Sequence, residues 1–218
     1  MSKTYTLLDN LECESLSING NYEGSSSFSA NGKDITCKWV SISNSFEQSL
    51  SVLMGSGTWE AMDFYLDTFH GVVSIESETS TMRITPSDMA GLSSQFTSLG
   101  ENSFNDIEVS EGAEVEMQTQ ATTFNSFKIG SGATIDLGGS QINIASLQAA
   151  GTDSNPINIT GGTLSKPSGF VQCDYLVLAD SRATGGAKWY AGENSIDNGG
   201  NEGWIFRKRK YQLPARKV

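Results

Sequence analysis

Fourteen residues repeat without a gap at a spacing of 20. Phe104-Asn-Asp-Ile-Glu-Val-Ser-Glu-Gly-Ala-Glu-Val-Glu-Met117 aligns on Phe124-Asn-Ser-Phe-Lys-Ile-Gly-Ser-Gly-Ala-Thr-Ile-Asp-Leu137. Apolar residues match as Ile107/Phe127, Val109/Ile129, Val115/Ile135 and Met117/Leu137. Within each unit they alternate with polar residues, which is the period of a strand buried on one face. Gly112 and Gly132 fall between the two short strands, where a corner needs a permissive backbone. A unit this short cannot bury its own apolar face. Stacked units can, so the repeat predicts an all-β solenoid with layers about 4.7–4.9 Å apart.

The same alternation continues less regularly on both sides. Upstream it runs through Leu16/Ile18, Ile35/Cys37/Trp39, Leu50/Val52/Met54, Phe64/Leu66, Val73/Ile75 and Met82/Ile84. Downstream it runs through Ile142/Ile144, Ile157/Ile159 and Val171/Cys173/Tyr175/Val177. If all are coils, the stack has roughly eight to ten layers. A β-sandwich of short strands is the rival architecture. Residues 1–85 repeat less cleanly and read as early coils, with a separate N-terminal β domain as the alternative. Residues 86–182 read as coils. Pro86, Asp88 and Met89 make 85–99 the one stretch expected to form a turn or two of helix. Residues 183–206 hold Trp189, Tyr190, Trp204 and Phe206 among many glycines. They read as a cap that covers the last apolar layer, since an open solenoid end must be covered.

Charge is unevenly placed. The chain has 14 basic and 25 acidic residues, and six of the basic ones lie in 207–218: Arg207, Lys208, Arg209, Lys210, Arg216 and Lys217. Eight cations against 25 acids leave residues 1–206 at −17, and the tail carries +6. An acidic body repels nucleic acid. The tail could neutralise phosphates only without base readout, so nucleic acid is not the expected partner. The tail reads as a docking arm for an acidic face on another copy or another protein. Cys13, Cys37 and Cys173 are odd in number, far apart and without metal-ligand spacing, so they are expected as unpaired, buried residues in a reducing compartment. The start of the chain has no apolar run of signal-peptide or membrane-span length, so synthesis in a cytoplasm and no membrane contact are expected.

Residues 151–206 also carry an ordered set of short elements. They are Gly151-Thr-Asp-Ser-Asn-Pro-Ile157, Asp174-Tyr-Leu-Val-Leu-Ala-Asp-Ser181, Ala183-Thr-Gly-Gly-Ala-Lys-Trp-Tyr-Ala-Gly-Glu-Asn-Ser195 and Asn201-Glu-Gly-Trp-Ile-Phe206. Their order and spacing resemble the closing segment of bacteriophage virion structural proteins built as right-handed parallel β-helices. With the coils from Phe104, the resemblance covers about half the chain. It implies a right-handed parallel β-helix, location in a virion, and a tail, baseplate, fibre or particle-surface role. It also implies assembly with other virion proteins and with copies of the same chain, as a homotrimer. The family pattern ends near the Gly-Trp-Ile-Phe element, whereas here 207–218 continue.

Chemistry is sparse by comparison. His70, the single histidine, sits among apolar residues and reads as structural or surface. No phosphate-binding glycine loop is present. Phage β-helices can carry paired carboxylates for polysaccharide cleavage, which needs two acids about 5–9.5 Å apart. Glu108, Glu114, Glu116 and Asp136 could line such a face, though an acidic solenoid makes such pairs by chance. Asp197-Asn-Gly-Gly-Asn-Glu202 reads as a turn rather than a Ca²⁺ loop, and the Asn158 sequon lies in a strand. The expected function is therefore structural, without catalysis, metal or cofactor. Recognition of a host surface glycan by exposed aromatics is the alternative, and a polysaccharide depolymerase is a more distant one.

Overall fold

A computed structural model of the protein describes residues 2–68 and 72–207. These residues form a parallel β-solenoid of about eight turns, without helix. Every strand pairing among them is parallel. The crossover that a parallel pair requires is supplied by the rest of each coil.

Each coil has three sides. The first side begins with β1 (Lys3–Thr6), β3 (Ser26–Ser29), β5 (Leu50–Leu53) and β8 (Val73–Glu76). The second starts in β2 (Leu11–Asn19) and β4 (Ile35–Ser43). It continues through β6 (Thr58–Ala61), β9 (Thr81–Ile84) and the later halves of β10 (Ser94–Val109), β11 (Glu114–Ile129) and β13 (Gln141–Ala149). The third takes the later halves of β2 and β4, then β7 (Asp63–Asp67) and the early halves of β10 and β11. It goes on through β12 (Thr134–Asp136), β14 (Ile157–Thr160), β17 (Leu176–Ala179) and β20 (Ile196–Asp197). One sheet runs from β2 to β20.

The 20-residue repeat is the hydrogen-bond register itself. Phe104 pairs with Phe124, Ile107 with Phe127, Val109 with Ile129 and Val115 with Ile135. Like side chains therefore stack on like and fill the interior. Phe96, Phe104, Phe124 and Phe127 form one buried ladder, with centroids 5.8–6.3 Å apart. Gly112 and Gly132 turn the corners at φ 66 and 68°, values that only glycine adopts without strain.

Two sequence expectations fail. Residues 85–99 contain no helix: 86–93 form a loop and 94–99 are strand. Ser94, Phe96 and Ser98 point inward with a period of two, which tertiary packing favours over a short helix with little apolar face to bury. Asp88, in the loop, instead reaches across the corner to Lys38, with Nζ 3.0 Å from its carboxylate.

The second failure concerns the cysteines. Cys13 and Cys37 are a disulfide, with Cα atoms 4.9 Å apart. Their spacing of 24 is one coil length here, because Leu11 pairs with Ile35 and Ile35 with Trp59. Distance along the chain thus becomes vertical contact. The bond closes a loop of 24 residues, which is worth about 3 kcal/mol in the chain-entropy account. Cys13→Ser is expected to speed amide exchange in β1 and β2 while leaving β14 and β17 unchanged, as measured by hydrogen-exchange mass spectrometry. Equal acceleration throughout would refute a local staple.

Candidate functional site

The candidate sites are the two ends of the stack. At the C-terminal end, β16 (Phe170–Gln172), β19 (Lys188–Tyr190) and β21 (Trp204–Ile205) form a three-stranded sheet. Its register stacks Val171, Trp189 and Trp204 in one column. Trp189 is 1% exposed and Trp204 9%. Their rings meet edge to face with centroids 5.2 Å apart, a favourable arrangement for two quadrupoles. Each indole N–H is satisfied: Trp189 donates to the Thr184 carbonyl at 3.0 Å and Trp204 to Ser181 Oγ at 3.2 Å. Tyr190 and Phe206 are half-buried, and Phe206 packs against the core. Gly185 lets the chain close in, since a Cβ there would lie 2.1 Å from the Lys166 carbonyl oxygen. On the outside Arg182 Nε donates to Glu202 at 2.7 Å. Arg207 is exposed. Lys208, Arg209, Lys210, Arg216 and Lys217 lie outside the described residues.

The four carboxylates do not share one face, but Glu116 and Asp136 are register partners on adjacent coils. Glu108 is on the second side, where Arg83 bridges it at 3.3 Å to Glu60 at 3.0 Å. Hydrogen bonding to Glu60 and attraction to Glu108 raise the Arg83 pKa, against a smaller opposing cost of burial. Glu114, Glu116 and Asp136 point outward from the third side. Glu116 accepts from Gln95 at 2.9 Å, and Asp136 from the Gly138 amide at 2.8 Å. Asp197 serves its own turn, accepting from the Gly199 amide at 3.0 Å and Asn201 Nδ2 at 2.6 Å. Among the described residues no three His, Cys, Asp or Glu are grouped so as to hold a metal ion. Asn158 lies in β14 with its amide on Thr134 Oγ1. Burial and the neighbouring Asp174 push the Cys173 thiol up to about 12, which removes its nucleophilic form at neutral pH. His70 lies outside the described residues. The exposed aromatics are Tyr5, Tyr22, Trp39, Tyr65 and Phe170, of which Trp39 and Tyr65 stand diagonally on the outer face of β4 and β7.

The N-terminal end escaped the sequence reading. Among the described residues β1 and β2 each pair on one side only, with β3 and β4. All four residues of β1 are exposed, and of β2 only Ile18 is fully buried. A cavity of about 540 Å³ opens there, lined by Leu7, Leu16, Ile18, Phe28 and Leu50 among others. Four acids, Asp9, Glu12, Glu14 and Glu23, accompany one cation, Lys3, in the first 24 residues. The signal that could have found this end is the spacing of 24 in Cys13/Cys37 and Ile18/Ile42, which marks residues 11–19 as the outermost copy of a strand pair.

Comparisons with models of known families, with curated proteins and with solved structures find no match.

Proposed function

We propose that this chain is a structural component of a bacteriophage particle, placed in the tail, baseplate, fibre or particle surface, and that it acts through assembly rather than catalysis. The observation that carries this reading is where the residues of the resemblance lie. Residues 151–206 build coils and an aromatic end seal, with Trp189 and Trp204 buried against each other, instead of lining a cleft. A solenoid needs its terminal repeats capped, and these residues do that work. The Cys13–Cys37 disulfide supports a working life outside a reducing cytoplasm. On this reading the chain is made in the host cytoplasm and carried to its final place in the virion. Its partners are other virion proteins and copies of itself, in side-by-side trimers. Arg207, Lys208, Arg209, Lys210, Arg216 and Lys217 form the docking arm.

The test is a chain that stops at residue 206. Its circular dichroism and melting midpoint are expected to match those of the full chain, because the last core residues, Trp204 and Phe206, are retained. Its incorporation into purified particles, read by mass spectrometry, is expected to be lost. Normal incorporation would overturn the docking role.

A further inference from the structure

We infer that the open N-terminal end of the solenoid is the receptor for the basic segment 207–218 of another copy of this chain, which adds to it as a strand. The inference rests on the reading of 207–218 as a docking arm and names what the arm docks on. The receptor consists of three features. Among the described residues the outer edges of β1 and β2 carry backbone groups with no strand beside them. The apolar cavity behind that edge is floored by Leu16, Ile18 and Phe28. The rim carries exposed Glu12 and Glu14 on β2, with Glu14 also 3.2 Å from Lys38 Nζ and open to a second cation. An unpaired edge with an apolar pocket behind it is what an incoming strand requires: main-chain hydrogen bonds supply affinity and alternate side chains supply specificity.

The arm has the matching pattern. Arg207, Arg209, Tyr211 and Leu213 alternate with Lys208, Lys210 and Gln212, and Pro214 follows. A single parallel register satisfies all of them. With Tyr211 over Leu16 and Leu213 over Ile18, the two apolar side chains enter the cavity. Arg207 and Arg209 then stand over Glu12 and Glu14. Pro214, which cannot continue a ladder, falls on Asn19, where β2 ends. No other segment of the chain combines this charge with this alternation.

Geometry decides that the arm comes from another copy. The two ends of a stack of about eight turns are separated by roughly 38 Å at 4.7–4.9 Å per layer. In the register above, Arg207 stands over Glu12, a full stack away from where the same residue leaves its own last coil, so only another copy can supply it. In a head-to-tail neighbour the same end lies beside residue 207. Such a contact is heterologous, so it propagates from copy to copy, or from trimer to trimer, instead of closing.

The experiment uses the full chain, the chain ending at 206, and a labelled synthetic peptide of residues 207–218. In sedimentation velocity the full chain is expected to gain mass with concentration, and the shortened chain to hold one size. The peptide is expected to bind the shortened chain, read by fluorescence anisotropy. Binding should weaken at least roughly tenfold when the protein carries Glu12→Lys with Glu14→Lys, or when the peptide carries Tyr211→Ser with Leu213→Ser. Glu114→Lys with Glu116→Lys, in mid-stack, should change it less than about twofold. Unchanged circular dichroism confirms that each protein variant folds. Absence of peptide binding overturns the inference. So does equal weakening by the mid-stack pair, or none from the Tyr211 and Leu213 changes, since either marks unspecific attraction between charges. If the shortened chain is lost from particles while the peptide does not bind, the arm docks elsewhere and the proposed function survives. If peptide binding holds while the shortened chain still enters particles, the reverse follows.

Discussion

Phe124→Ala is expected to lower the unfolding free energy by about 3–5 kcal/mol, the usual cost of emptying a buried phenylalanine site. Phe124 is fully buried at the hub of the aromatic ladder, with ring centroids 5.8 Å from Phe96, 6.0 Å from Phe104 and 6.0 Å from Phe127. It also pairs with Phe104 above and Ile144 below. The cavity would therefore loosen coils on both sides, and neighbouring β-strands tied by hydrogen bonds at fixed spacing cannot collapse into it. Total stabilities of about 5–15 kcal/mol make such a loss a large fraction of the whole. Urea unfolding is the measurement. A midpoint indistinguishable from that of the parent would show that these rings do not carry the core. Gln118→Ala, exposed on the outer side of the third face, is the control and should stay within about 0.5 kcal/mol.

Trp189→Ala is expected to cost a similar 3–5 kcal/mol, but with a different reach. Trp189 lies between Val171 and Trp204 in the closing sheet, and its loss leaves the Thr184 carbonyl without its indole donor. In a solenoid each coil is held chiefly by its neighbours. The damage is therefore expected to stay in the last coils. Amide exchange should rise sharply in β16, β19 and β21 and hardly at all in β2 to β9. A single cooperative loss over the whole chain would mean that the stack folds as one unit, and it would contradict a sealing role confined to that end.

Phe104 and Phe124 were legible as a stacked pair because their coils have equal length and no insertion, so identity at a spacing of 20 is also contact. Trp189 and Trp204 were legible as end-sealing candidates because large aromatics stand there among many glycines, near the last coils. Cys13 and Cys37 were not legible as a bond. Their coil is 24 residues long, and the clear repeat of 20 pointed the eye at a different period. Residues 85–99 misled for a related reason: Pro86 and Asp88 open a turn as readily as a helix, and the loop's partner, Lys38, lies two coils away.

By itself, then, the sequence determined short strands with one buried face and favoured a stack of them over a β-sandwich. Alternation and a fixed repeat leave apolar side chains nowhere else to go. It also determined that the charge is divided between an acidic body and a basic end. Tertiary structure alone decided which cysteines meet, and that Glu108 stands on a different side from Glu114, Glu116 and Asp136. Those outcomes depend on the exact length of every corner summed around a coil. One residue more or less in a turn moves a side chain to another column or another face, and no local pattern records that sum.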